Sequence, residues 1–118
     1  MKHLTIILML WGFLAPIQAI AYDDYDSRRA ESYMKEAEYY KKKADGYRRE
    51  AEYYKKQAQG YQREAAYYTK RGDMDRAKTY MDRAENAMDR YETQMRYAKN
   101  ADERAADYLK RASRILDD

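Results

Sequence analysis

Residues 36–49 and 50–63 are two copies of one fourteen-residue segment, differing at three positions, and a third, decaying copy begins at Glu64. Fourteen is two heptads, so the repeat specifies how a helix packs; it is too short for the roughly 20–50-residue units of solenoids. Ala30, Ala37, Ala44, Ala51, Ala58 and Ala65 hold one heptad position, and Tyr33, Tyr40, Tyr47, Tyr54, Tyr61 and Tyr68 lie three residues after each. Designated a and d, they give six unbroken heptads, the signature of a helix packed along one stripe. The acidic b residues Glu31, Glu38, Asp45 and Glu52 each precede a basic f residue by four, namely Lys35, Lys42, Arg49 and Lys56. That is the favourable orientation for surface pairs of about 0.2–0.5 kcal/mol each, and it marks a solvated face.

The pattern stops at Arg71, Gly72 and Asp73 and resumes in a new register. Met74, Met81, Met88 and Met95 now recur every seven residues, continued by Leu109 and Leu116, while Ala77, Ala84, Ala98, Ala105 and Ala112 run three behind. Asp102 and Tyr91 interrupt the two series. Gly72 suits the left-handed residue that ends a helix, Asp73 the N-cap of the next, and Asp75 the dipole-favoured first turn. Two nearly equal arms about a glycine turn predict an all-α, long antiparallel two-helix hairpin with a coiled-coil-like seam of alanine, tyrosine and methionine. Helix 1 is expected at about 26–70, the turn at 71–73 and helix 2 at about 74–116. Each arm would be about 67 Å long. Alanine every seventh residue admits close approach of the helices, with the d tyrosines laid over the seam and their hydroxyls at its wet edge. The four methionines are read as filler of the same seam. Such a hairpin has the means to oligomerise into a bundle.

Composition bears on where the chain goes. Met1-Lys2-His3 is a short basic segment, Leu4 to Ala15 an apolar one, and Pro16 precedes the small-residue site Ala19-Ile20-Ala21. This order predicts a secretory signal over 1–21, cleaved after Ala21. A retained N-terminal anchor is the alternative, but a span needs about 20 apolar residues and this one contains Pro16 and Gln18. The mature domain, 22–118, keeps all 21 acidic residues and loses only Lys2 from the 24 basic ones, for a net charge of about +2. So balanced a surface argues against nucleic acid as partner. Cysteine is absent, which excludes disulfides and thiol chemistry. Leu109, Ile115 and Leu116 are the mature chain's only branched aliphatics, a poverty usual in disordered chains. Disorder, however, goes with high net charge and no apolar periodicity. Here alanine, methionine and 15 tyrosines supply the apolar surface with strict periodicity.

Around the turn, Tyr67 to Ala84 resembles the helix-turn-helix corner of a tetratricopeptide unit, with Gly72, Ala77, Met81 and Ala84 on its packing positions. The resemblance covers about one sixth of the chain and implies a corner at Gly72. A single copy, a longer first helix and no closing proline depart from that family's peptide-binding superhelix. In architecture alone, an exported two-helix hairpin is similar to helical-hairpin adhesins and to small helical periplasmic binding proteins, with no motif residues to carry over.

The residues for catalysis are missing. The one histidine, His3, leaves with the signal, so Ser27, Ser32 and Ser113 have no base to activate them. The carboxylate pairs Asp73/Asp75 and Asp102/Glu103 lack the spacing of a calcium loop. Soft Met sulfurs favour Cu(I), but sevenfold spacing sets neighbours about 10 Å apart. No catalytic, cofactor or metal residues are therefore assigned.

What a plain hairpin does not require is the c position of the first arm, where Tyr39, Gly46, Tyr53, Gly60 and Tyr67 alternate. Each glycine inside a helix costs about 1 kcal/mol relative to alanine. Duplication of a tolerated glycine is one reading. The other is a second contact surface of aromatic knobs about 21 Å apart, with hollows between that admit a knob from another molecule. The expectation is an exported, non-enzymatic protein of the periplasm or exterior, without a membrane span once processed, that acts by helix-face contact: self-association as a homo-oligomer, or docking on an envelope or host protein. A small periplasmic binding protein, capturing a metal ion or holding unfolded chains, is the alternative.

Overall fold

The computed structural model describes residues 24–117. The proposed signal, 1–21, lies outside them. Helix α1 spans Asp24–Lys70 and helix α2 spans Met74–Asp117; no strand occurs among the described residues. Asp24 and Asp26 in the first turn of α1 and Lys70 in its last complement the helix dipole, as Asp75 and Arg114 do in α2. No helix among the described residues is long and apolar enough to cross a membrane.

Three residues, Arg71, Gly72 and Asp73, separate the two helices. Gly72 has φ +79°, the left-handed conformation that a Cβ disfavours. Its amide donates to the Thr69 carbonyl at 3.1 Å, and the Asp73 amide donates to the Tyr68 carbonyl at 3.0 Å. Together these are the paired bonds of a Schellman cap. Asp73 then starts α2 without an intervening residue: its Oδ1 accepts from the Arg76 amide at 3.2 Å and its carbonyl from the Ala77 amide at 3.0 Å. An N-cap carboxylate of this kind contributes about 1 kcal/mol, so Asp73→Ala should destabilise the hairpin by that amount in urea unfolding, and Asp73→Asn by much less.

Contacts divide the hairpin into two compact units, residues 40–103 with the turn, and residues 24–39 with 104–117. In the first, Ala44, Ala51, Ala58 and Ala65 of α1 are buried with Ala77, Ala84, Ala87, Ala98 and Ala101 of α2. The helices run antiparallel there, Tyr47 meeting Tyr97 with ring centroids 5.4 Å apart and Tyr61 meeting Tyr80 at 6.2 Å. Tyr80 also stacks on Tyr68 at 5.6 Å. Arg48 joins Asp45 of its own helix to Asp102 of the other. In the second unit Ala30, Ala112 and Leu116 form the buried cluster, with Tyr33, Met34 and Ile115 against it and Tyr33 stacked on Tyr108 at 6.0 Å. All six d tyrosines of α1 are half-buried, and no buried side-chain nitrogen or oxygen among the described residues lacks a partner. A phenol half in and half out keeps its hydroxyl in water while the ring covers the seam.

Two expectations about side chains are corrected. The methionine row does not fill the seam as a row: Met88 is half-buried, but Met74 and Met81 are each 61% exposed and Met95 38%. The seam mates of the α2 alanines lie three residues after them, at Tyr80, Ala87, Ala101, Tyr108 and Ile115, with Gln94 in the same place after Tyr91, all buried or half-buried. Either series makes a three-four stripe with the alanines. Ala87 and Ala101 let the helix axes close up, whereas a row of methionines would hold them apart. The second correction is Asp45, which pairs with Arg48 at 3.1 Å and not with Arg49. Glu31 does pair with Lys35, at 3.5 Å.

Candidate interaction surface

In the unit of residues 40–103, the c positions of α1 are Gly46, Tyr53, Gly60 and Tyr67. A c residue sits about 100° from the d stripe on a helix, so it faces away from α2. Tyr53 is 56% exposed and Tyr67 50%. Neither ring is loose. Tyr53 packs edge-on against Tyr54, with centroids 5.4 Å apart, and its hydroxyl accepts a bond from Gln57 Nε2 at 2.9 Å. Tyr67 repeats the arrangement on Tyr68 at 5.1 Å, its hydroxyl accepting from Arg71 Nη1 at 3.0 Å, while the Arg71 guanidinium lies 5.4 Å from its ring centre. Each knob is braced by the neighbouring tyrosine and by the residue one turn on, so little side-chain freedom remains to be lost when a partner binds.

The glycines between the knobs are half-buried and open outward. A methyl added at Gly46 would first meet Arg49 Nη2, 3.9 Å away, and one added at Gly60 would first meet Arg63 Nη2, also at 3.9 Å. Each hollow is thus edged by an arginine three residues on. Neither Arg49 nor Arg63 makes an ion pair or a ring contact among the described residues.

The unit of residues 24–39 and 104–117 carries Tyr39, 52% exposed, at the same heptad position of α1. It also carries two residues that the sequence reading left out. Tyr25, 64% exposed with the Arg29 guanidinium 5.6 Å from its ring centre, and the exposed Ser32 continue the alternation of tyrosine with a small residue. They stand fourteen and seven residues before Tyr39, and extending the repeat backwards would have found them.

The residues 40–103 also enclose a shallow groove lined by Gln57, Tyr61, Arg83, Asn86, Ala87 and Arg90. Its arginines lie over tyrosines, Arg83 at 5.1 Å from Tyr80 and Arg90 at 5.8 Å from Tyr54, and so cover the flank of the seam. No histidine, serine, cysteine or carboxylate lines it. Among the described residues no three His, Cys, Asp or Glu side chains come together as a set able to hold a metal ion.

No protein-family model, curated protein or solved structure matches this chain. The functional reading therefore rests on the face itself: aromatic rings, fixed in orientation, half-exposed, and repeated with open backbone between them.

Proposed function

We propose that this chain is an exported, non-enzymatic interaction protein that works through contact along the c face of α1. The observation that carries the reading is the bracing of Tyr53 and Tyr67. Solvated tyrosines need no support, whereas aromatic rings held half-exposed have the character of binding hot spots. The basic, apolar and small-residue order of residues 1–21 supports export. Exposed Met74 and Met81, adaptable apolar side chains, favour a second reading as a holdase for unfolded chains.

The test is made in the native envelope. The processed protein should have an intact mass that begins at Tyr22. A photo-crosslinking amino acid at Tyr53 or Tyr67 should give a discrete adduct, and one at the exposed Lys99 of α2 should not. Equal labelling at all three positions, or none, would refute a dedicated face, and a smear of many unrelated adducts would transfer the reading to the holdase.

A further inference from the structure

We propose that the occupant of this face is a second copy of the same chain, running parallel and displaced along the helix by one heptad. The inference rests on the reading of the c face as an interaction surface and adds what covers it. The knobs and hollows of residues 40–103 repeat every fourteen residues and are offset from each other by seven. A shift of about 10.5 Å therefore brings each knob of one copy opposite a hollow of the other. Tyr53 then faces Gly46, Gly60 faces Tyr53, and Tyr67 faces Gly60. An unshifted parallel pair sets tyrosine against tyrosine and glycine against glycine.

Charge selects the direction. On a helix the c stripe is flanked by the f positions on one side and the g positions on the other. Over this stretch f is wholly basic, with Lys42, Arg49, Lys56, Arg63 and Lys70, while g carries Lys43, Glu50, Gln57, Glu64 and Arg71. In a parallel pair the f row of each copy lies against the g row of the other, as e lies against g in a parallel coiled coil. With the one-heptad shift, Lys56 meets Glu50 and Lys70 meets Glu64 along one edge. Along the other, Glu50 meets Lys42 and Glu64 meets Lys56. Where both partners fall within residues 40–103, two like-charged encounters remain, Arg49 with Lys43 and Arg71 with Arg63. An antiparallel pair sets f against f, basic along its whole length, and Glu50 against Glu64. The hollows add a polar reason: a ring entering at Gly46 or Gly60 comes within reach of the Arg49 or Arg63 guanidinium, which has no ring or carboxylate of its own among the described residues.

Sedimentation equilibrium on the purified, processed chain should show a concentration-dependent dimer. Gly46→Leu with Gly60→Leu fills both hollows using a strong helix former, so the thermal melt by circular dichroism should hold or rise while dimerisation weakens by about tenfold or more. Because the chain has no cysteine, direction can be read by disulfide trapping. A mixture of Lys56→Cys and Glu50→Cys chains should give the mixed disulfide in preference to either self-linked product, and self-linking of Lys56→Cys alone would overturn the parallel arrangement. Glycine variants that dimerise as the parent does, or a parent that stays monomeric at every concentration, would overturn the second copy as occupant. A monomeric chain that still gives a discrete adduct to another protein at Tyr53 would leave the interaction reading intact and refute only this inference.

Discussion

Ala58→Leu should be among the most damaging single substitutions in the hairpin, lowering stability by about 2–3 kcal/mol. Ala58 is 1% exposed and lies on a seam made almost wholly of methyl groups, where neighbouring side chains have little length with which to yield. Three added carbons cannot be accommodated by repacking, so the helices must separate locally, and contacts on both sides of the site are lost. For a domain of this size the melting temperature should fall by on the order of 10–20 °C. Ala66, eight residues on and exposed, is the control: Ala66→Leu introduces the same atoms into solvent and should change stability by no more than about 0.5 kcal/mol. Urea unfolding of the two variants measures the difference. Equal effects would mean that the seam does not set the helix spacing.

The second large effect is at Gly72. A methyl group there would meet nothing within 4 Å, so any loss on substitution comes from the backbone, held at φ +79°, and not from crowding. Gly72→Ala should cost about 1–2 kcal/mol, and Gly72→Val more, because branching at Cβ makes the left-handed region harder still to reach. Gly72→Asn should recover part of the loss. Gly46 and Gly60 stand in ordinary helix, and the same change to alanine there should stabilise the monomer by about 1 kcal/mol per site. Opposite signs for one substitution at glycines of one chain would separate the corner from the face. A neutral Gly72→Ala would show that the turn relaxes out of the left-handed conformation at little cost.

The hairpin was legible in the sequence because its two determinants are local and discrete: alanine and tyrosine in strict heptads, and a Gly-Asp pair where the register breaks. The c row was legible for the same reason, since a near-perfect duplication exposes any departure from the seam. The methionine row misled because two series in α2 share one spacing with its alanines, one three residues before them and one three after. Choosing between the series needs the facing helix, whose alanines demand the smaller set. The positions of the Arg49 and Arg63 side chains beside the hollows, and the bracing of Tyr53 by Gln57, depend on rotamers that no spacing encodes. Asp45 illustrates the limit: Arg48 and Arg49 both lie within one turn of it, and Arg48 is the one that also reaches Asp102.

A core of alanines has a thermal consequence. The heat-capacity change on unfolding follows the apolar area newly exposed to water, and burying a methyl hides far less of it than burying a leucine or phenylalanine. Among the described residues thirteen alanines and Leu116 make up the buried set, so this change should fall below the usual ~12–15 cal/mol/K per residue. The stability curve is then broad and shallow, and the hairpin holds nearly the same margin over a wide range of temperature.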